Sequence, residues 1–302
     1  MRAADLARLV ALAAMWGASY LFMRYAVPHF GAVWMIELRV LVAGVALLAF
    51  LHATGGRIEW ARDWPSFLFV GAIGLALPFV LIGQALLAID ASTAAILNAL
   101  SPLFATLVAA VWIREPITVA KMSGIALCLA GTAVLVGWTP KPMTATQLLA
   151  AGMSVAATAL YGFTIVFTKV RLKAASPMGT AAATLLFAAV ALWPVAPFVS
   201  TSTPMADIPV IAWAAVAGLA LVSTTVAFIF YYRLIADVGP VKAITVTLLV
   251  PVFGMLWGVL FLGEPVTAGR IAGCAIILLG CALILGLLRL PRPGLRQASP
   301  SE

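Results

Sequence analysis

The chain has 302 residues, of which 64% are hydrophobic and 9% are charged. A soluble domain carries roughly 25% charged residues, so this composition excludes an ordinary soluble protein and predicts one whose surface faces lipid. The formal net charge is +8, but the basic residues lie scattered at the ends of apolar runs, without the interleaved aromatic residues of a nucleic-acid-binding face. We expect no nucleic-acid partner.

Apolar runs long enough to cross a bilayer, about 20 residues each, fill the chain from near its N-terminus to its C-terminal tail. Short connections separate them, so no extramembrane domain is expected. The pattern predicts an all-α integral membrane protein with ten transmembrane helices, at residues 7–27, 33–52, 64–88, 92–112, 119–137, 147–169, 178–199, 210–235, 240–262 and 268–289.

The Lys and Arg residues predict how these helices are oriented. With the N-terminus placed in the cytoplasm, 14 of the 18 basic residues fall on the cytoplasmic side and 4 on the other. Basic residues favour the cytoplasmic side of a membrane protein. Both termini are therefore predicted to be cytoplasmic, and residues 290–302 are expected to form a disordered cytoplasmic tail.

An internal repeat divides the chain into two halves. Residues 94–136 recur at 243–285 without a gap, and 13 of the 43 positions are identical, including both residues of a Glu-Pro turn. A weaker match relates the Trp-Gly pair at 16–17 to the Tyr-Gly pair at 161–162. The predicted organisation is a first five-helix repeat at 1–137, a linker at 138–146, a second repeat at 147–289 and the tail at 290–302.

The number of helices in each half determines how the halves are related. Five is odd, so the second half enters the membrane from the opposite face, and Glu115 and Glu264 lie on opposite sides. Inverted repeats of this kind suit transport by alternating access, because matched parts of the fold can open to either side. We expect the two repeats to surround a central cavity.

Motifs of catalysis are missing from the sequence. It contains no His-Glu-x-x-His, Gly-x-Ser-x-Gly or phosphate-binding loop, and no two carboxylates share a helix face at mid-depth. The sequence therefore predicts that the protein is not an enzyme. Neither a cofactor nor a metal ion is expected.

Prolines inside apolar runs are the first candidates for functional residues. A proline removes a helical hydrogen bond and bends the helix, and the freed carbonyl must find a partner or a cavity. Pro102 and Pro251 are repeat mates, and together with Pro78 they are predicted hinges or kinks. A static bend that improves packing is the alternative.

Aromatic and polar residues near mid-span are candidates for the wall of the cavity. Trp16 and Tyr20 share one helix face, and Tyr161 occupies the matching place in the second half. Polar side chains in lipid turn inward and find a partner, so a plain packing role is the alternative for each. The candidate cavity residues are Trp16, Tyr20, Pro78, Gln84, Asn98, Ser101, Tyr161, Thr164, Thr224, Phe228 and Thr247.

Three charged residues are predicted to lie near the outer face. Glu37 and Arg39 begin the second predicted helix, and Arg24 ends the first. An ionised residue inside a membrane is a functional candidate by default, but an ion pair that holds these two helices together is the favoured interpretation. No deep, unpaired carboxylate is expected.

The predicted helices at 119–137 and 268–289 carry faces of small residues, with glycines seven positions apart. Small residues at such spacing allow close helix packing in lipid. These helices are expected to act as scaffold, packed against the helices at 92–112 and 240–262.

The features described so far resemble a known group of proteins. The Trp-Gly and Tyr-Gly pairs are each followed by a basic residue, Arg24 or Lys169, and the order Pro, Glu-Pro, Gly, Gly occurs at 102–131 and again at 251–280. With the two five-helix halves, these motifs resemble the drug/metabolite transporter superfamily, in particular the ten-helix EamA-type exporters. The resemblance implies a bacterial inner-membrane protein with a central cavity.

Within that superfamily the chain is most similar to the YddG-type exporters of aromatic amino acids. The resemblance implies outward transport of amino acids and similar small metabolites, with the lipid bilayer as the other partner. Efflux of drugs or hydrophobic cations is the alternative, although a cation site should have an acidic partner at mid-depth. A membrane scaffold or enzyme is the least favoured reading. The oligomeric state stays open, a monomer included.

Overall fold

The computed structural model describes residues 2–137 and 142–288, and in these ranges the chain is helical between short connections. Among the described residues, seven helices are long and apolar enough to cross a membrane, and two further apolar helices have 17 residues each. The all-α fold predicted from the sequence is confirmed. In chain order the helices are α1 (Ala3–Ala53), α2 (Trp60–Ala85), α3 (Ala91–Trp112), α4 (Val119–Gly137), α5 (Ala145–Arg171), α6 (Pro177–Phe198), α7 (Val210–Val238), α8 (Val246–Leu262) and α9 (Ala268–Ile284).

Helix α1 takes in the first two predicted helices, 7–27 and 33–52, within 51 residues. In place of the expected connection, the structure has one non-helical residue, Gly31, with φ 70° and ψ 165°. Glycine adopts a positive φ readily, whereas other residues are strained there. Residues 3–30 are called the first arm of α1 below, and residues 32–53 the second arm.

The other predicted segments coincide with α2 to α9 within a few residues, but two of them are interrupted. The segment predicted at 240–262 begins with a separate turn, Pro240–Ala243, before α8 starts. Helix α3 consists of Ala91–Asn98 and Ser101–Trp112. The expected tail at 290–302 and residues 138–141 of the expected linker lie outside the described residues.

Two helices contain a wider, π-helical stretch, Val70–Ala76 in α2 and Gly218–Val226 in α7. Such stretches are rare and are frequent at functional sites. In α7 the hydroxyls of Thr224 and Thr225 donate to carbonyl oxygens five residues earlier, at 2.8 and 3.1 Å. The local geometry of α7 is therefore altered at Thr224.

Helices α4 and α9 pack against each other through glycines. A Cβ atom on Gly124 would lie 2.6 Å from the carbonyl oxygen of Gly280, and one on Gly280 would lie 2.6 Å from that of Gly124. Gly131 and Gly273 face each other in the same way at 3.0 Å. These two helices pack mainly against each other, and the contacts expected with α3 and α8 are present but smaller. A small-residue face indicates close approach, but it does not identify the partner.

A second matched contact joins the two halves. Gly17, on the first arm of α1, packs against Phe253 of α8, where an added Cβ would lie 2.7 Å from the Phe253 Cβ. Gly162 of α5 packs against Phe104 of α3 at 2.6 Å. Gly17 and Phe253 are the repeat mates of Gly162 and Phe104. Each half therefore contacts the other through the same pair of positions.

Candidate functional site

A buried arginine lies among polar and aromatic residues from several helices. Arg39, on the second arm of α1, has 6% of its surface exposed. Its Nε donates to Thr224 Oγ1 at 3.1 Å, and its guanidinium lies over the Phe79 ring, 3.8 Å from the centroid. A third contact joins it to the sulfur of Met23 at 3.8 Å. Helices α1, α2 and α7 therefore enclose this cation.

Two tyrosines complete the surroundings of Arg39. Tyr20, on the first arm of α1, is 5% exposed, and Tyr161 of α5 meets Phe79 edge-on with ring centroids 6.1 Å apart. Both tyrosines lie near the guanidinium. Tyr20, Tyr161 and Thr224 were predicted cavity residues, and the structure brings them together. We call Tyr20, Arg39, Phe79, Tyr161 and Thr224 the central cluster.

A second aromatic group lies one helical turn away, on the first arm of α1 and on α7. Trp16 meets Phe228 edge-on at 6.4 Å between centroids and contacts Tyr231 at 5.2 Å. Phe228 stacks on Tyr232 at 6.0 Å. Two further predicted residues, Trp16 and Phe228, are therefore neighbours.

The polar candidates of α3 and α8 differ in what their side chains do. Asn98 lies near Tyr20, and its side-chain oxygen is buried without a hydrogen-bond partner in the part of the chain that the structure describes. The Ser101 hydroxyl donates to the Asn98 carbonyl at 2.9 Å, at the break in α3. The Thr247 hydroxyl donates to the Ile244 carbonyl at 2.8 Å. Ser101 and Thr247 thus hydrogen-bond their own backbone.

The predicted hinge prolines occupy three different local structures. Pro102 lies in the first turn after the break in α3. Pro251, its repeat mate, lies inside the continuous helix α8. Pro78 follows the π-helical stretch of α2. A local break accompanies Pro102 and a helical irregularity accompanies Pro78, whereas the helix around Pro251 is regular.

Among the described residues, the last two candidates, Thr164 and Gln84, form no hydrogen bond with a side chain of the central cluster. Thr164 packs against Gly74 of α2, and its hydroxyl donates to the Leu160 carbonyl at 2.8 Å, which is a packing role. Gln84 is exposed and lines a cleft of about 340 Å³ beside the Gly31 turn and the 199–202 connection.

The expected ion pair of Glu37 with Arg24 or Arg39 is absent from the described residues. Glu37 is 2% exposed, and neither carboxyl oxygen has a hydrogen-bond partner there. Arg24 donates to the Leu86 carbonyl instead. Residues two apart on a helix do not face each other, so Glu37 and Arg39 point to different sides of the second arm. Glu37 is therefore a buried carboxylate without a partner among the described residues, and its depth in the membrane stays a prediction.

Arg39 and Phe79 were not recognised from the sequence as site residues. Arg39 was placed near the outer face because it is close to the start of a predicted helix. Eight residues separate it from the Gly31 turn, and at 1.5 Å per residue this is about 12 Å of helix. A residue that far along a membrane-spanning helix is expected near the middle of a hydrocarbon core about 30 Å thick, so this spacing favours a deep position for Arg39.

The Glu-Pro turn after α8 caps the start of α3. The Glu264 carboxylate accepts hydrogen bonds from the backbone N–H groups of Ala91 and Ser92, at 2.7 and 3.0 Å, and from the Ser92 hydroxyl. The first N–H groups of a helix have no partner within the helix. Next to this contact, Arg270 pairs with Asp90.

The Glu-Pro turn after α3 has the same backbone conformation. Arg114 and Gly263, which precede the two glutamates, have φ angles of 53° and 64°. The N–H groups of Glu115 and Glu264 both donate to the carbonyl oxygen six residues earlier, at 3.2 and 3.1 Å. The two turns are therefore equivalent in backbone geometry.

The side chain of Glu115 nevertheless has different partners from that of Glu264. Its carboxylate lies 2.6 Å from Lys121 Nζ and 3.8 Å from Lys169 Nζ. The hydrogen bond from Lys121, together with the charges of both lysines, lowers the pKa of Glu115. The Glu264 turn thus caps a helix of the other half, whereas the Glu115 turn forms ion pairs near the surface.

A sequence model of the EamA-like transporter family matches residues 6–137 and 148–286. The chain belongs to the EamA-like transporter family. This EamA-like protein is therefore a multi-pass membrane protein of a transporter family, within the drug/metabolite transporter superfamily. The matched ranges include the central cluster and both Glu-Pro turns.

Three relatives of this EamA-like protein are described as transporters. A probable terminal-alkyne amino-acid exporter of Streptantibioticus cattleyicolor is 27% identical over 276 residues, 91% of each chain. An uncharacterized transporter of Archaeoglobus fulgidus is 24% identical over 270 residues, 89% of this chain and 94% of the relative. The uncharacterized transporter YyaM of Bacillus subtilis is 23% identical over 290 residues, 94% of each chain.

The fold of this EamA-like protein is similar to that of a protein of known crystal structure. The two chains superpose with a TM-score of 0.65 at 20% sequence identity, over 94% of this chain and 96% of the other. The likeness at this identity supports the helical architecture alone.

Proposed function

We propose that this EamA-like transporter exports amino acids, aromatic and other, and similar small metabolites across a bacterial inner membrane by alternating access. The observation that carries the proposal is the central cluster, in which Arg39 and Phe79 of the first half meet Tyr161 and Thr224 of the second. A site built from both halves changes its exposure when the halves move relative to each other. The exporter from Streptantibioticus supports the choice of amino acids.

The architecture proposed for this mechanism has ten membrane crossings in two inverted five-helix repeats around the central cluster. The turn at Gly31 lets α1 cross twice, and each of α2 to α9 crosses once. The reciprocal contacts between Gly17 and Phe253 and between Gly162 and Phe104 support a pseudo-twofold relation. The repeats span 1–137 and 147–289, and both termini are cytoplasmic.

Alternating access requires that the two sides of the molecule differ in any one state. The two Glu-Pro turns have the same backbone, but only Glu264 caps a helix of the other half. In the proposed orientation Glu264 lies on the outer side, where it holds α3 against α8. Pro78 and Pro102, at local irregularities, and Pro251, inside a regular helix, are the proposed hinges about which the helices open.

Efflux of hydrophobic cations is the second candidate. The aromatic rings of Trp16, Phe228 and Tyr231 favour it, because ring faces attract cations. Arg39 disfavours it, since a buried positive charge repels a cationic substrate from the central cluster. The same transport assay distinguishes these two substrates.

The test is counterflow in liposomes that contain the purified full-length protein. Labelled phenylalanine, threonine, glutamate and lysine are compared with the cation tetraphenylphosphonium, with and without a pH gradient. We expect exchange of several amino acids and slower exchange after Phe79→Ala, while Phe198→Ala, a change at an exposed phenylalanine, stays like the unaltered protein. Exchange of no amino acid above protein-free vesicles would count against the proposal.

A further inference from the structure

Arg39 is a buried cation that forms no ion pair with any acidic residue in the described ranges 2–137 and 142–288. Its Nε donates a hydrogen bond to the Thr224 hydroxyl, and one further N–H contacts the sulfur of Met23, which is a weak acceptor. A guanidinium has five N–H donors, so most of them have no protein acceptor among the described residues. Burying a charge is costly unless it is paired.

The acidic residues that the structure describes are engaged or face elsewhere. Five of them pair with other basic residues: Asp5, Asp63, Asp90, Glu115 and Asp237. Glu59 and Asp207 are exposed. Glu264 binds the start of α3. Glu37 is two positions from Arg39 on the same helix and faces another side of it. None of these carboxylates neutralises the guanidinium.

The surroundings of Arg39 favour an anion with an apolar part. Phe79 covers one face of the guanidinium, and the Nη2 group has no acceptor among the described residues, so it can donate to a carboxylate oxygen. Tyr161 stands edge-on to Phe79, which gives the site an aromatic wall. Beside Tyr20, the side-chain oxygen of Asn98 has no hydrogen-bond partner among the described residues and adds a second polar atom to the site.

We propose that Arg39 binds the carboxylate of the transported molecule and that Phe79 and Tyr161 contact its apolar side chain. The substrate class is then a carboxylate with an apolar or aromatic substituent, which includes apolar amino acids. This assignment rests on the proposed transport function and specifies the recognition at its site. Compounds that lack the carboxylate are expected to bind poorly.

The test compares ligands that differ only in that group. Binding to the purified full-length protein is measured by calorimetry with phenylalanine, 3-phenylpropionate, phenylalaninol and phenylalaninamide. We expect the two carboxylates to bind about tenfold or more tightly than the alcohol and the amide, as loss of a charged hydrogen-bond partner predicts. Equal binding of all four overturns the assignment without the use of any variant.

Two variants test whether Arg39 itself binds the carboxylate. Arg39→Gln should weaken phenylalanine and 3-phenylpropionate about tenfold while phenylalaninol binding stays unchanged, and Arg39→Lys should retain part of the affinity. Arg171→Gln, the same change at an exposed arginine, should leave all affinities unchanged. A fully folded Arg39→Gln protein that still binds both carboxylates normally would overturn the proposal.

The outcomes separate this inference from the proposed function. Arg39-dependent binding of carboxylates without counterflow supports the site and contradicts amino-acid export. Counterflow that is equal for phenylalanine and phenylalaninol supports transport and contradicts carboxylate recognition. Binding of neither class contradicts both.

Discussion

Glu264 accepts a hydrogen bond from the backbone N–H of Ala91 at 2.7 Å, across 173 residues of sequence. The carboxylate belongs to a residue that is 7% exposed. A negative charge at a helix N-terminus is favoured by the helix dipole and by the unpaired N–H groups there. This contact ties the turn after α8 to the start of α3 and so joins the two halves.

Glu264→Ala should destabilise the protein because it leaves the N–H groups of Ala91 and Ser92 without their partner. A loss of about 1–3 kcal/mol in the free energy of unfolding is expected. Glu115→Ala, the same change at the repeat mate, should cost less than about 1 kcal/mol, because ion pairs of a 40% exposed side chain contribute little. Thermal unfolding of both variants in one detergent measures the difference, and equal losses would contradict it.

Stability should depend on pH through Glu115, whose pKa is lowered in the folded protein. In the unfolded chain a glutamate titrates at about 4.3. The stabilisation is therefore complete above that pH, and it is lost as the pH falls through the lowered folded-state pKa. The Tm of the unaltered protein minus that of Glu115→Gln should be positive at neutral pH and shrink towards zero in acid. A difference that grows in acid would refute the sign.

Arg114 adopts a backbone conformation that its repeat mate, Gly263, adopts without strain. A left-handed conformation costs a non-glycine residue about 1 kcal/mol. Arg114→Gly should therefore raise the stability slightly, and Gly263→Ala should lower it by a similar amount. The pair is measured by thermal unfolding. An unchanged Tm in both variants would mean that the turns relax.

Gly280→Ala should be strongly destabilising because the new methyl group would meet the Gly124 carbonyl at 2.6 Å. Overpacking of this kind costs about 1–3 kcal/mol. Gly152→Ala is the matched control, since a Cβ there has no atom within 4 Å; it should be neutral or slightly stabilising. Similar Tm values for the two variants would show that α4 and α9 can separate without cost.

Thr224→Val removes the hydroxyl that accepts from Arg39 and keeps the shape of the side chain. We expect the KM for amino-acid exchange to rise about tenfold, and the Tm to fall as well, because the buried Nε of Arg39 loses its acceptor. Thr184→Val is the control, because the Thr184 hydroxyl donates to a carbonyl of its own helix and lies outside the central cluster. Equal KM values for both variants would contradict a role of Thr224 in substrate binding.

The fold was predictable because its main determinants are local. Apolar runs and the repeat of residues 94–136 at 243–285 predicted the helices and the matched glycines. The break at Gly31 was harder, because a single positive-φ glycine replaces the loop that the composition suggests. The partner of α4 was not predictable, since Gly124 and Gly131 indicate close approach to any helix with a similar face.

The candidate site was predictable in part. Tyr20, Tyr161 and Thr224 stood out because polar and aromatic groups at mid-span are rare in such a chain. Arg39 did not, because Glu37 two positions away suggested an ion pair, and only the helix geometry shows that the two side chains diverge. The π-helical stretch that presents Thr224 has no clear sequence signal.

The contacts of Gly124 with Gly280 and of Gly131 with Gly273 are one contact made twice, since Gly273 and Gly280 are the repeat mates of Gly124 and Gly131. A half-length ancestor with a single copy of this helix would carry both sides of the contact. Two such chains would associate through it before any gene fusion. A fusion of two such copies would then join subunits that already fit together.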